Sequence, residues 1–462
     1  MPETHTLERA YRVRLRPKPE QVRMLSRLFG ARRFVWNWAH RRKDEAWRTD
    51  GTKLSGVDLS REFTQLRQAP ETAWLSSLPR EPFNQTLRDF DTAWRNFFAG
   101  RAKRPRRKKF GTVMSARFTL DQRRPGLVDI ESGSVQLDGI GRIRFRVTEP
   151  MPGRLRSVTV RRDSAGRWFA TFTADGVAIP ESVLVARSAI GIDLGLKETA
   201  ALSTGEIIRA PKHLAAKLSR LRRYQRSYAR QRDAALLRIG LDSKKAIPKG
   251  TRITPSNRMR RQKHRIGRLH AQIADARRDH QHRLTHRAVA LANVVCIEDL
   301  NIKGMTRSMG RRAFRRSVTD AGLGEIRRQL TYKAQWTGRT LSVVDRFFPS
   351  SKTCSECGAI NAGLKLADRR WTCVSCGTDH DRDWNAAINI EREGLRLLAV
   401  TGPEGRTRRS RGTDAQGEDS CAIDTSPSVG QPTSLNCELA YRAAPPRPTR
   451  TRRNGPARRV EG

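Results

Sequence analysis

The sequence predicts a multidomain fold, α+β in its first half and α/β in its second, on three observations. Residues from about 110 to 175 repeat apolar side chains with a period of two after a long helical stretch. Two short apolar strands, near 190–193 and 294–297, each run into an acidic residue, with helices between them. Two Cys-x-x-Cys pairs, Cys354/Cys357 and Cys373/Cys376, then precede a final helix. At 462 residues and 37% hydrophobic content, the chain is long enough for two or three domains and apolar enough to build a core outside its C-terminal tail.

Taken in order, residues 9 to 17 alternate Tyr11, Val13 and Leu15 with Arg12, Arg14 and Arg16, the pattern of a half-buried strand. Pro19 suits the first turn of a helix, and Val22, Leu25, Leu28 and Phe29 recur at helical spacing ahead of Phe34, Val35 and Trp38. A further helix is expected from about Pro82 to Phe98, with Leu87, Phe90, Trp94, Phe97 and Phe98 on one face. At that spacing these aromatics read as core rather than as a base-stacking platform. Ile143 to Val147 alternates, and Ser157 to Val160 reaches Trp168 to Phe172 through Asp163-Ser164-Ala165-Gly166, a hairpin signal. The first domain, 1–188, is therefore a helical segment (about 19–100) set within a small antiparallel β module (about 9–17 and 110–175).

From 189 the pattern becomes α/β. Ala189-Ile190-Gly191-Ile192-Asp193-Leu194-Gly195 opens it, further strands are expected near 199–202 and 206–209, and Val294-Val295-Cys296-Ile297 runs straight into Glu298-Asp299. Between them lie long Arg-rich helices, about 212–235 and 257–292, too one-sided in charge for a salt-bridged solvated face. This second domain is expected to span 189–400. Residues 401–462, rich in Pro, Ser, Gly, Thr and Arg without periodic apolar positions, are expected to form a disordered basic tail.

With 92 Lys+Arg against 46 Asp+Glu the formal charge is +46, much of it in runs such as Arg101-Ala102-Lys103-Arg104-Pro105-Arg106-Arg107-Lys108-Lys109. Such a surface binds a polyanion by releasing its counterions, with affinity that falls steeply with salt. Codon bias exchanges Lys for Arg but does not create an excess over acid. No span approaches 18 apolar residues and the N-terminus has no apolar signal core, so a soluble intracellular protein with no membrane partner is expected. Of seven cysteines, four lie in the two pairs, Cys296 in a strand expected to be buried, and Cys421 and Cys437 in the polar tail. No disulfide framework is implied.

Thiolates two residues apart can both reach one tetrahedral ion, and the fifteen residues between the pairs let the second knuckle fold back. The spacing predicts a structural Zn2+ on Cys354, Cys357, Cys373 and Cys376. A thioredoxin-like redox site needs one pair at a strand-to-helix turn, whereas here two pairs recur, followed by Gly358 and Gly377. Three acids sit at element ends: Asp193 and Glu298 close the two apolar strands, and Asp383 opens the helix after the knuckle. Hard cations such as Mg2+ or Mn2+, held as a pair about 3.5–4 Å apart, want carboxylate ligands, and phosphodiester hydrolysis at such a pair needs no Ser or Cys nucleophile. Alternation points Asp299 away from the face carrying Glu298, and Asp381 precedes the helix, which favours Glu298 and Asp383.

Gly191 and Gly195 flank Asp193 and are expected to let phosphate and metal approach the strand, while Ala386 and Ala387 let the final helix pack on the sheet. An Asp-x-Gly turn also serves actin-like and sugar-kinase ATPases, but the knuckle, the Asp383 segment and the positive charge are unexpected there. His282 and His286, four apart, lack the Glu of His-Glu-x-x-His and read as a solvated basic helix.

Five stretches together resemble the TnpB family, transposon-encoded RNA-guided nucleases also described as transposases and similar to the compact type V CRISPR effectors. They are Gly191-Ile192-Asp193-Leu194-Gly195-Leu196-Lys197, the run from Val295 through Glu298-Asp299-Leu300-Asn301 to Met305, Ser350-Ser351-Lys352-Thr353-Cys354-Ser355-Glu356-Cys357-Gly358, Cys373-Val374-Ser375-Cys376-Gly377, and the run from Asp381-Arg382-Asp383-Trp384-Asn385 to Ile390. The resemblance covers about residues 7 to 400, weakly in the first half and strongly from 189.

It implies a RuvC-like nuclease domain of RNase H-like fold in which Asp193, Glu298 and Asp383 match the catalytic acids and the four cysteines match a zinc-ribbon insertion (about 350–378). It also implies that the N-terminal helices and a β-barrel-like module grip a guide RNA from the transposon end and double-stranded target DNA, and read a short motif beside the target. A nucleoid-associated place in a prokaryotic cytoplasm follows from the same resemblance. The tail after about 400 departs from the compact family pattern. Two other readings remain: a non-cleaving DNA-binding accessory or regulator of transposition, and an unguided transposase. The three acids favour a nuclease, and no separate tyrosine or serine recombinase centre supports strand joining.

Overall fold

The computed structural model describes residues 6–401 apart from 110–113, 122, 125, 180–184, 186, 210–212, 243–246, 249–250, 252, 309–311 and 366. The expectation of a disordered tail falls outside the described residues.

The opening strand, β1 (Thr6–Arg16), buries Tyr11, Val13 and Leu15 and exposes Arg12 and Arg16, as its alternation requires. It leads into α1 (Pro19–Asp50), where Pro19 occupies the first turn and Lys18 N donates to Gln21 Oε1 at 2.9 Å. The helix stops at Gly51, whose φ of 69° is open to glycine. A second helix, α2 (Gly56–Gln68), is capped by Ser55, whose Oγ accepts from Asp58 N, and α3 (Glu81–Phe98) follows.

Six strands then join β1: β2 (Ser115–Thr119), β3 (Val128–Asp129), β4 (Ser134–Leu137), β5 (Gly141–Arg146), β6 (Arg154–Arg162) and β7 (Trp168–Ala178). They form one antiparallel sheet in the order β2-β6-β7-β1-β5-β4-β3, so the N-terminal strand lies at its centre. The β6–β7 hairpin turns at Asp163–Gly166, where Asp163 Oδ1 accepts from Ala165 N (3.0 Å) and Arg167 N (2.7 Å). Helices and sheet share one core that includes Tyr11, Leu25, Phe29, Phe90, Phe145 and Phe172. Leu87, Phe90 and Trp94 of α3 enter that core. Phe97 packs against that core from outside, whereas Phe98 departs from the expected apolar face and is 70% exposed, its ring resting only on Trp94 and Phe97 among the aromatic contacts of the described residues.

The second half carries β8 (Arg187–Asp193), β9 (Glu198–Leu202), β10 (Ile207–Arg209), α4 (His213–Leu237), α5 (Asn257–Leu291) and β11 (Ala292–Glu298). It continues with α6 (Ile302–Ser308), α7 (Arg312–Ala321), α8 (Leu323–Trp336), β12 (Thr340–Val344), β13 (Arg370–Thr372), β14 (Asp379–Asp381) and α9 (Arg382–Thr401). The sheet order is β10-β9-β8-β11-β12, with β8, β11 and β12 parallel and β9 and β10 antiparallel. Parallel neighbours require crossovers, supplied here by α4–α5 and by α6–α8.

Leu284 and Ala288 of α5 and Ile326 and Leu330 of α8 cover one face, meeting Ile190, Ile192, Val295 and Ile297. The other face is covered by α9, whose Ile390 meets Cys296 and Val344. Strand alternation therefore turns Gly191, Asp193, Cys296 and Glu298 towards α9.

The glycines around Asp193 have a role different from the one expected. A Cβ at Gly191 would stand 2.0 Å from Ala387 O, and one at Gly195 would stand 2.7 Å from Glu198 O. Their missing side chains admit the backbone of α9 and the turn into β9, not a phosphate. Among the described residues no helix is long and apolar enough to cross a membrane.

Candidate active site

Asp193 closes β8 and Glu298 closes β11. The parallel register that pairs Ile192 with Ile297 carries the two acids side by side to the carboxyl ends of their strands, where open α/β sheets bind ligands. Asp383 stands in the first turn of α9, which packs across the same face. The neighbouring acids are engaged elsewhere. Asp381 caps α9, its Oδ1 accepting from Asp383 N and Trp384 N at 3.1 Å each. Asp299 is gripped by the guanidiniums of Arg327 and Arg346, which outweigh the effect of burial and hold its carboxyl below the usual range.

The electrostatics of the cluster are unbalanced. Burial pushes the Asp193 carboxyl up to about 7, the charges of Glu298 and Asp383 add to the rise, and Arg382 and Arg369 oppose it. Burial raises Glu298 as well, against a hydrogen bond that Ser350 Oγ donates to its Oε1. Arg369 Nη1 reaches both oxygens of Asp383, at 2.9 and 3.1 Å. Buried carboxylates facing one another suit hard divalent cations in their chemistry. The three do not gather their oxygens around one point, however: among the described residues the four cysteines are the only group of three or more whose ligand atoms all lie within 4.8 Å of one another.

In that knuckle, Cys354 and Cys376 sulfurs lie 3.6 Å apart, as do those of Cys357 and Cys373. A tetrahedral Zn2+ with Zn–S bonds of about 2.3 Å has an S–S edge of about 3.8 Å, so the donor set fits that ion. Gly358 and Gly377, at φ 78° and 73°, close the two turns. The backbone N–H groups of Glu356 and Cys357 point at Cys354 Sγ (3.4 and 3.5 Å), and His380 Nε2 lies 3.0 Å from it. The knuckle is tied to α9. Asn385 Oδ1 accepts from Ser355 N (2.8 Å), and the side-chain amides of Asn385 and Asn389 donate to Thr353 O (2.8 and 2.7 Å). The helix that presents Asp383 in its first turn is thus clamped to the cysteine loop over its next two.

Ser350, Arg369, His380, Asn385 and Asn389 had no role assigned from sequence. The Asn pair, spaced i, i+4 among Ala386, Ala387, Ile388 and Ile390, was the available signal. His282 and His286 join no metal cluster among the described residues. The His282 carbonyl accepts from Lys333 Nζ at 2.8 Å, and His286 is exposed.

A mixed sheet with carboxylates at its parallel strand ends, beside a four-cysteine knuckle on a chain of net charge +46, is suited to a nucleic-acid partner, and comparison with known proteins gives its family. Residues 177–309 match the family described as "Probable transposase", 324–390 "Cas12f1-like, TNB domain", and 5–52 "Helix-turn-helix domain". The chain is 37% identical over 398 residues, 85% of its length and 91% of the relative's, to a Streptomyces pristinaespiralis protein named "Putative RNA-guided DNA endonuclease". An Escherichia coli (strain K12) protein with the same name and the suffix InsQ is 29% identical over 403 residues, 84% of this chain and 93% of that one.

The chain belongs to the TnpB family. A solved Cas12f1-sgRNA-target DNA complex aligns over 83% of this chain and 98% of that one, at 12% identity and a TM-score of 0.41. Within 5–52 the described residues form β1 and the single uninterrupted helix α1, not two helices about a turn.

Proposed function

We propose that the chain is an RNA-guided DNA endonuclease that cleaves by divalent-metal-dependent phosphodiester hydrolysis. The observation that carries this reading is the placing of Asp193 and Glu298 at neighbouring strand ends with Asp383 in the first turn of the helix packed across them, close enough that, beside burial, the charges of the other two raise Asp193 to about 7. These acids would hold Mg2+ or Mn2+, whose charge, when bound, supplies activation of water and stabilisation of the leaving oxygen. Around them, Ser350 orients Glu298, the Asp381 cap sets the start of the helix that presents Asp383, and Arg369 steadies the Asp383 carboxylate. Cys354, Cys357, Cys373 and Cys376 would hold a structural Zn2+ that fixes the loop clamped to α9.

In this reading residues 189–400 are a RuvC-like nuclease domain of RNase H-like fold, with the Arg-rich helices (212–292) and zinc ribbon (350–378) as insertions. Residues 1–188 are the lobe that grips a transposon-end guide RNA and double-stranded target DNA. Pairing chooses the sequence, and the protein holds backbones and reads only a short motif beside the target, as a prokaryotic nucleoid enzyme would. The names of the relatives support the guided activity. Reprogramming tests it. RNA that copurifies with the protein is sequenced, its guide segment is replaced, and the cut is expected to move to the newly matched DNA. Cutting that ignores the guide leaves an unguided transposase, and guided binding without cutting leaves an accessory protein.

A further inference from the structure

The basic run 101–109 is not a loose tether. Trp36 Nε1 donates to Arg106 O (3.0 Å), Asn37 Nδ2 to Lys108 O (3.0 Å), Lys108 N back to Asn37 Oδ1 (2.7 Å), and His40 Nε2 to Pro105 O (2.9 Å). Residues 105–108 are thereby strapped along one face of α1. Arg104 is pinned to Asp44 at 2.8 Å, and the Lys108 ammonium sits 4.3 Å over the Trp36 ring. The strap forms one wall of a concavity of about 180 Å³, lined by Phe34, Asn37, Trp38, Arg41 and Arg107. The Asn37 amide is already engaged with Lys108, and the Trp38 ring is buried against Phe63, which leaves the half-buried Phe34 ring and two guanidiniums facing the space. Among the described residues Arg107 has no partner, and Arg41 has only Glu45 at 3.8 Å.

We propose that this concavity receives one unstacked nucleotide of a bound nucleic acid, its base against Phe34 and its flanking phosphates on Arg41 and Arg107. The space is well below the roughly 300 Å³ at which sites for drug-sized ligands begin, so one planar ring enters and a helix does not. An aromatic face accepts any base, and guanidiniums match phosphate with forked hydrogen bonds. No carboxylate lines the space to oppose a phosphate. Pinning the strap places Arg107 before the nucleotide arrives, which lowers the entropy lost on binding. The pocket depends on the proposed function only for its nucleic-acid partner, and contact with a base is scored whether or not DNA is cut.

Photo-crosslinking of the full-length protein tests this, with one arm of RNA carrying 4-thiouridine and another of single-stranded DNA carrying 4-thiothymidine, and mass spectrometry locating the crosslinked residues. Crosslinks within residues 34–41 are expected, and the arm that gives them identifies the strand. Phe34→Leu and Arg107→Ala should each lower their yield about fivefold or more, and total bound nucleic acid about twofold at most, given the chain's many other basic contacts. Asn37→Ala, which releases the strap but keeps the Phe34 ring and both guanidiniums, should lower the yield likewise. Phe34→Tyr, which keeps the ring, should restore it and so separates loss of stacking from loss of fold.

Crosslinks confined to other parts of the chain, or yields unchanged in all three weakening variants, overturn the pocket; so does displacement of bound oligonucleotide from these residues by an acidic peptide at equal charge. Crosslinks here without guided cutting would leave the pocket standing and remove the proposed function, and guided cutting without them would do the reverse.

Discussion

The cysteine knuckle and the acid cluster are both suited to cations, and they are assembled in opposite ways. Four sulfurs reach tetrahedral spacing through two tight turns, with backbone N–H groups and His380 directed at Cys354, so the chain's local geometry builds the ligand set. The acids come from positions 193, 298 and 383, on two strands and a helix. Burial, with the charges of Glu298 and Asp383 adding to it, raises Asp193 to about 7. The knuckle can therefore organise its surroundings, whereas the acid cluster must be held together by the packing of β8, β11 and α9 against its own charge. Strain of that kind gathers at functional sites and lowers folding stability there.

The largest effect expected from breaking this contrast is on chemistry. Asp193→Ala, Glu298→Ala and Asp383→Ala should each lower magnesium-dependent guided cutting by about a thousandfold or more, while DNA binding, which rests on the basic surface, stays within about threefold. Both are read by gel on the same preparations, and wild-type-like cutting by any one variant removes that residue from the site. Next comes the knuckle. Cys354→Ser or Cys373→Ser should release zinc, measured by mass spectrometry of the purified protein, and lower cutting roughly tenfold as the anchor of α9 loosens. A wild type with no zinc after metal-replete expression would sink the zinc assignment.

Smaller again is Asn385→Ala, which unties knuckle from helix without touching a sulfur or an acid. Ser355 N loses its acceptor, at a cost of about 1–3 kcal/mol, so zinc should be retained while the melting temperature and cutting both fall. Zinc loss equal to that of the cysteine variants would show that the clamp serves the metal rather than α9.

The last test is pH. The folded Asp193 keeps its proton up to about pH 7 whereas an ordinary carboxyl releases it near 3.8, so between these values the folded state binds more protons than the unfolded. The contribution of this group to stability is therefore most favourable below about pH 4 and declines as pH rises through 7. With divalent ions chelated, Asp193→Asn should gain about 2 °C or more on wild type in melting temperature between pH 5 and pH 8. A gap between the two proteins that does not change with pH would show Asp193 to be an unstrained acid.

What was legible in the sequence was mostly local. The runs ending in Asp193 and Glu298 read as strands because an apolar stretch stops at a charge, and α4 and α5 begin and end within a few residues of their expected bounds. The four cysteines were equally readable, since their spacing is their geometry. In contrast, α8 hides its apolar face among Arg327, Arg328 and Lys333, and β12 is only five residues long, so neither stood out. Arg369 meets Asp383 only because β13 and β14 fold back on each other, a pairing with no signature in either residue's neighbours. Gly191 read as room for a ligand, since no sequence period encodes the distance between a strand and the helix crossing it.

That closeness has a genetic consequence. Gly191 N donates to Ser203 Oγ (3.0 Å) and Glu391 Oε2 (3.3 Å), and an added methyl would collide with the carbonyl of Ala387. Gly191→Ala would act as a wedge between the strand that ends on Asp193 and the helix that begins at Asp383, parting the two carboxylates while deleting neither. The clash also lowers the stability of this packing, so codon 191 is where random mutagenesis should yield heat-sensitive alleles. Their product would be full-length, zinc-replete and nucleic-acid-bound at any growth temperature, and silent only at the upper end of the range.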